Sequence, residues 1–286
     1  MSAVNRQRIR LANGAQLSVV TAGELSKPAL LLLHGFPSSA RTFREVIPAL
    51  SEVAYVIAPD LPGFGGSDVL PVTSFKAYGE AIIELLKHLD IGRRFIYLHD
   101  FGAPVGLHIA MQAPDEVLGV IVQNANAHLT GFGPGWAGTI AYWSDPNPQN
   151  EAAATAHLTL EGTREQYVAG LAPDIAARIS SENWEEDWRI MCLPGRKEMH
   201  RALIADYGNY AARFDRIAAY FANRQPPSLM LWGRHDAFFD FPEVLSWMED
   251  LPRMEAHIFD AGHFLLETHS AQAAALMLDF MRRAQT

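Results

Sequence analysis

The chain has 286 residues, 49% of them hydrophobic and 19% charged, which supplies a large packed core and argues against a disordered or low-complexity protein. Its 23 basic and 32 acidic residues leave a net charge of −9, with no run of Lys or Arg longer than pairs such as Arg93-Arg94 and Arg282-Arg283, so nucleic acid and anionic membrane are poor partners. The single cysteine, Cys192, excludes an intrachain disulfide, the opening MSAVNRQRIR lacks the apolar stretch of a signal peptide, and no apolar run approaches the ~20 residues of a membrane span. We expect a cytoplasmic protein, monomer or homodimer.

In chain order, residues 17–21 and 29–33 have the pattern of strands, the second a continuous apolar run suited to a parallel sheet buried on both faces. A third such run, 55–58, leads into the loop PDLPGFGGSD. From 74 to 89, Phe75, Ile82, Leu85, Leu86 and Leu89 recur at helical spacing behind Ser74, a suitable N-cap. Residues 95–98 predict a strand, 102–112 a helix, 118–122, 228–232 and 257–259 further strands, and the chain from about Glu267 a closing helix. This alternation predicts an α/β fold: a doubly wound, mostly parallel sheet with a ligand site at the carboxyl ends of its strands. Residues 129–225 break the rhythm with helical segments and no buried strand. Structureless loops longer than ~15 residues are uncommon, so we expect a helical cap at 129–225 inserted into a core of 1–128 and 226–286.

Four segments carry the chemistry. FIYLHDFGAPVG, 95–106, is a strand turning sharply into a helix, a geometry that exposes the central side chain, here Asp100, at the sheet edge. The usual motif has serine there with glycines two residues away on both sides; this chain keeps Gly102 but has Leu98 upstream. HGFP, 34–37, follows a strand end, where the amide of Phe36 joins that of Phe101 as a candidate oxyanion hole. WGRHD and DAGHF end two later strands and offer Asp236 and His263. Each piece alone has a plain structural explanation: an N-cap aspartate, a strand-to-helix turn, a turn former, a core histidine. Their coincidence at strand ends, in the order 100, 236, 263, is that of a nucleophile–acid–histidine triad.

Through HGFP, APDLPGFGGSD, HDFGAPVG, WGRHDAFF and DAGHF the chain resembles the α/β-hydrolase superfamily over most of its length. HGFP with HDFGAPVG is similar to its aspartate-nucleophile branch, the epoxide hydrolases and haloalkane dehalogenases. The resemblance implies Asp100 as nucleophile, His263 as base and Asp236 as acid partner. The alternative acid position holds Gln123, Asn124, Ala125 and Asn126, so no carboxylate competes. A carboxylate is already ionised at neutral pH and attacks an sp³ carbon directly, leaving histidine to activate the water that cleaves the resulting ester.

The leaving group is less constrained. An opening epoxide needs an acid, and the resemblance implies two cap tyrosines, for which Tyr142 and Tyr207 are the candidates, with Tyr210 competing for the second place. Haloalkane dehalogenases typically carry Trp after the nucleophile and Asn at position 36; this chain has Phe101 and Phe36. Fluoroacetate-type dehalogenases prefer arginine after the nucleophile, which Phe101 also departs from, although Trp143 and His128 remain candidates to cradle a halide. The expected pocket is mainly apolar, drawn from Phe36, Phe101, Phe238, Phe264, Trp136 and Trp143, with His34 and Tyr210 near it. The expected activity is cofactor-free opening of a small apolar epoxide to a vicinal diol. The alternatives are haloalkane or haloacid dehalogenation on the same three residues and a non-catalytic ligand receptor.

Overall fold

The apolar runs lie side by side in one sheet. In the computed structural model, which describes residues 4–285, the strands are β1 (Asn5–Arg10), β2 (Gln16–Ala22), β3 (Ala29–Leu33), β4 (Tyr55–Pro59), β5 (Arg94–His99), β6 (Val117–Gln123), β7 (Ser228–Gly233) and β8 (Glu255–Phe259). Their spatial order is β1-β2-β4-β3-β5-β6-β7-β8. The pairs β1–β2 and β2–β4 are antiparallel and every other neighbouring pair is parallel. β3 and β5 sit centrally and bury every residue, which is why β3 reads as an unbroken apolar run and β5 as one between Arg94 and His99. Successive side chains feed opposite cores: Leu31, Leu33, Ile96 and Leu98 enter one face, Leu30, Leu32, Phe95 and Tyr97 the other.

Among the elements that escaped the sequence reading are β1, the short helix Ile47–Leu50 and the helix Pro242–Asp250. β1 buries only Ile9, and its Arg6, Arg8 and Arg10 leave no apolar pattern; charged residues on an edge strand discourage pairing with another chain. The helix Pro242–Asp250 starts with proline in its first turn and buries Val244 and Trp247 one turn apart.

The core helices before β6 are α1 (Ile47–Leu50), α2 (Phe75–His88) and α3 (Gly102–Gln112). At the start of α2 the Ser74 hydroxyl accepts a hydrogen bond from the Ala77 amide at 3.1 Å, as its sequence suggested. Between β6 and β7 run α4 (Ala137–Ser144), α5 (Pro148–Ala154), α6 (Leu160–Val168), α7 (Pro173–Ala176), α8 (Glu182–Met191), α9 (Arg196–Ala211) and α10 (Phe214–Arg224), and none of residues 130–225 joins the sheet. A lone bridge, Phe132 to Phe239, ties this segment to the loop after β7. α11 (Pro242–Asp250) and α12 (Leu266–Arg283) complete the chain. Among the described residues no helix is long and apolar enough to cross a membrane.

Candidate active site

Asp100 stands at the carboxyl end of β5, between the strand and α3, with φ +47° in the left-handed region. A non-glycine residue held there is strained, and such strain concentrates at functional sites. The chain leaving β3 passes close by: a Cβ on Gly35 would lie 2.4 Å from that of Asp100, so only glycine fits. That approach brings the Phe36 amide to 2.6 Å from Asp100 Oδ1, to which it donates. Burial raises the Asp100 pKa from its ordinary value; His263 and the amides of Phe36 and Phe101 pull in the opposite direction.

The ends of β7 and β8 supply the other two groups. His263 Nδ1 lies 2.9 Å from Asp236 Oδ2, and His263 Nε2 lies 3.9 Å from Asp100 Oδ2, beyond direct hydrogen bonding. That Nε2 is buried without a protein partner. Burial disfavours the charged imidazole, but Asp236 and Asp100 outweigh it and hold His263 above the usual histidine value. Asp236 is fixed from four directions. The amides of Phe238 and Phe239 donate to its Oδ1 at 2.8 and 3.2 Å, while Asn124 Nδ2 donates to its Oδ2 at 2.8 Å beside His263.

Sequence reasoning missed three supports. Asn124, at the position where no carboxylate competes, also accepts from the Gly233 amide at 2.9 Å and so ties β6 to the turn carrying Asp236. Gln123 donates to the His263 carbonyl at 3.0 Å and accepts from the Tyr97 hydroxyl. His99, just before Asp100, packs its ring 4.8 Å from that of His263, and burial keeps it neutral, well below the usual value. The absence of an acid at 124 was legible; its replacement by a positioning amide was not.

A cavity of about 230 Å³ opens above Asp100. Phe36, Phe101, Trp136, Tyr207 and Phe238 line it, together with Thr139, His157, Gln166 and Ile204, which the sequence reading did not single out. Tyr207 is buried with its hydroxyl unpartnered, its ring stacked on Trp143 at 6.0 Å and 7°. Burial, with Tyr210 and Asp100 nearby, raises its pKa well above 10, so it keeps its proton.

Other candidates are placed elsewhere. Tyr142 is half-buried against the core and is not a wall residue. The Tyr210 hydroxyl donates to the Asn126 carbonyl, which occupies its proton. Trp143 backs Tyr207 and spends its indole N–H on the Ile204 carbonyl at 2.8 Å; that of Trp136 goes to the Phe238 carbonyl at 2.6 Å. His34 accepts from the Leu61 amide at 2.9 Å and donates to the Gly35 carbonyl at 3.0 Å, bracing the loop behind the site. Phe264 stacks on Tyr167 under His263 instead of facing the cavity. His128 faces Glu243 and Asp250 with its two ring nitrogens and does not line the cavity.

Residues 28–270 match the alpha/beta hydrolase fold family. An uncharacterized hydrolase of Saccharomyces cerevisiae is 30% identical over 92% of this chain and 92% of its own. Epoxide hydrolase A of Mycobacterium tuberculosis is 27% identical over 96% of this chain and 97% of its own. The solved structure of the epoxide hydrolase CorEH superposes with a TM-score of 0.77 at 25% identity, covering 98% of this chain and 99% of that one.

Proposed function

The chain belongs to the alpha/beta hydrolase fold family, and from that premise we propose that this hydrolase opens small epoxides to vicinal diols through an alkyl ester on Asp100. The observation that carries the proposal is that Asp100 and Tyr207, whose buried hydroxyl has no hydrogen-bond partner among the described residues, line one cavity. Asp100 attacks a ring carbon, the C–O bond breaks, and Tyr207 donates its proton to the departing oxygen. Residues 129–225 act as the cap that carries this acid.

In the second half, His263 takes a proton from water, and the hydroxide adds to the Asp100 carboxyl carbon. The amide of Phe36, already 2.6 Å from Oδ1, stabilises the oxyanion together with that of Phe101. Collapse expels the second diol oxygen, which takes the proton from His263, and the proton of the regenerated Asp100 carboxyl returns to Tyr207. Asp236 orients His263 and stabilises its charged form, as the acid of a triad does.

Halide release is the weaker reading. A departing halide wants free N–H donors, and both candidate indoles, Trp136 and Trp143, are committed to carbonyls. Acyl-ester hydrolysis lacks the serine, and a passive receptor has no use for a strained, amide-bound carboxylate beside a buried histidine.

The test is a single turnover in ¹⁸O-labelled water with diol and halide measured in parallel. The first diol carries unlabelled oxygen from Asp100, and label enters that side chain. Mass spectrometry of His263→Gln finds a substrate-sized adduct. Label in the first diol with no adduct would exclude Asp100 as nucleophile.

A further inference from the structure

Most of the cavity wall is apolar, and Gln166 interrupts it. This residue lines the cavity at 7% exposure, and its carboxamide makes no hydrogen bond to any described residue. A carboxamide carries two donors and an acceptor, which a tight protein interior rarely leaves unpaired. Helix α6 has little freedom to turn it away. The adjacent Tyr167 is stacked on Phe264 with ring centroids 4.1 Å apart and donates to the buried Asp187 at 2.5 Å.

The surrounding charges narrow what Gln166 can meet. No lysine or arginine lines the cavity, and burial pushes His157 down to about 4, so that ring is neutral at physiological pH. An anionic substituent would face Asp100 with no compensating cation. A hydrocarbon substituent would strip water from Gln166 and leave its amide unpaired. The volume, about 230 Å³, lies below the ~300 Å³ at which drug-sized sites begin.

We propose that Gln166 sets specificity, and that the substrate is a small epoxide bearing one neutral hydrogen-bonding substituent, a hydroxyl or ether oxygen, held by the Gln166 carboxamide while Asp100 attacks the ring. The inference rests on the epoxide-opening reading above and sharpens its substrate class from plainly apolar to apolar with one polar contact.

Two matched probe pairs test it: glycidol against 1,2-epoxybutane, and glycidyl methyl ether against 1,2-epoxypentane. The wild-type enzyme favours the oxygen-bearing member of each pair by about tenfold in kcat/KM, the fold-change expected for one such hydrogen bond, and mostly through KM. Gln166→Leu removes that preference, so that within this variant the oxygen-bearing and alkyl members of each pair are turned over with equal kcat/KM. Gln166→Met, unbranched and flexible, guards against a packing defect in the leucine variant. Wild-type indifference within each pair, or a preference that survives in both variants, overturns the specificity assignment and leaves epoxide opening intact. Failure of the wild type on all four probes, with no adduct on His263→Gln, instead sinks the epoxide reading itself and the inference with it.

Discussion

The floor and the roof of the cavity treat polar atoms differently. On the floor, Asp236 receives four hydrogen bonds, Asn124 joins two strands, and the Asp100 carboxylate is held by backbone amides. On the roof, the Tyr207 hydroxyl and the Gln166 carboxamide have no hydrogen-bond partner among the described residues. The floor is preorganised for charge that develops whatever the substrate, so the fold can satisfy it in advance. The roof must complete its hydrogen bonds with the substrate, so its unsatisfied groups mark where selectivity resides.

The largest effects should come from the floor. Asp100→Ala abolishes all turnover, including the first. His263→Gln also abolishes steady-state turnover, yet releases no diol while collecting one equivalent of ester. The same separation should follow from pH. Asp236 and Asp100 hold the His263 pKa above its ordinary value, against burial, so lowering the pH charges the base while part of Asp100 remains ionised. Ester should therefore accumulate in the wild type as pH falls, checked by acid quench and intact-mass measurement. Turnover that declines with pH without ester would place the titration in the alkylation step.

On the roof, Tyr207→Phe should lower kcat for epoxides by about 10²–10⁴, the usual span for a general acid. Tyr142→Phe should leave it unchanged. Tyr210→Phe deletes the bond to the Asn126 carbonyl and should cost about 1 kcal/mol in denaturant unfolding without changing the opening rate. Equal kinetic losses at all three tyrosines would erase the distinction between the unpartnered hydroxyl and the committed one.

A smaller effect tests whether Asn124 belongs to the floor's machinery or only to its packing. Asn124→Ala frees one Asp236 lone pair and orphans the Gly233 amide. Loosening His263 by about 1.4 kcal/mol would slow ester hydrolysis about tenfold and leave alkylation alone. A purely structural role predicts lower stability with both half-reactions intact.

The floor was largely legible in the sequence because strand ends are marked locally. An apolar run closed by HGFP, HDFG or WGRHD fixes where its side chain emerges, whatever covers it. Even Leu98, where small residues are usual, has a local answer: a Cβ on Gly106 would lie 2.2 Å from the Leu98 side chain, so the missing space is made on α3. The roof was not legible in this way. Tyr142, Tyr207 and Tyr210 are alike as residues, and only the packing of helices distant in sequence decides which of them joins Asp100 on the cavity wall. Gln166 and His157 had no motif at all. β1 hid for a different reason, since an edge strand rich in arginine carries no buried alternation.

The smallest effect concerns the joint between floor and roof. His128 follows β6, and its ring nitrogens each lie 3.0 Å from a carboxylate, Nδ1 from Glu243 and Nε2 from Asp250. Two carboxylate partners suit the imidazolium, which donates from both nitrogens. Burial opposes that charge, but Glu243 and Asp250 prevail and raise the His128 pKa above 6.5. Glu243 also accepts from the amides of Ala127 and His128 and from the Thr130 hydroxyl, fastening the chain as it leaves the sheet. A folded-state pKa above the unfolded value stabilises fully below the unfolded value and progressively less as pH rises through the folded one. The Tm difference between wild type and His128→Gln should thus be greatest near or below pH ~6 and shrink toward pH ~9, since the substitution removes a group that changes charge in this window while the other titrating groups are common to both proteins. Because His128 lies off the cavity wall, turnover of folded His128→Gln should match the wild type. A Tm gap that is flat or widens with pH would mean that the ring holds this joint as a neutral spacer and that its charge contributes nothing.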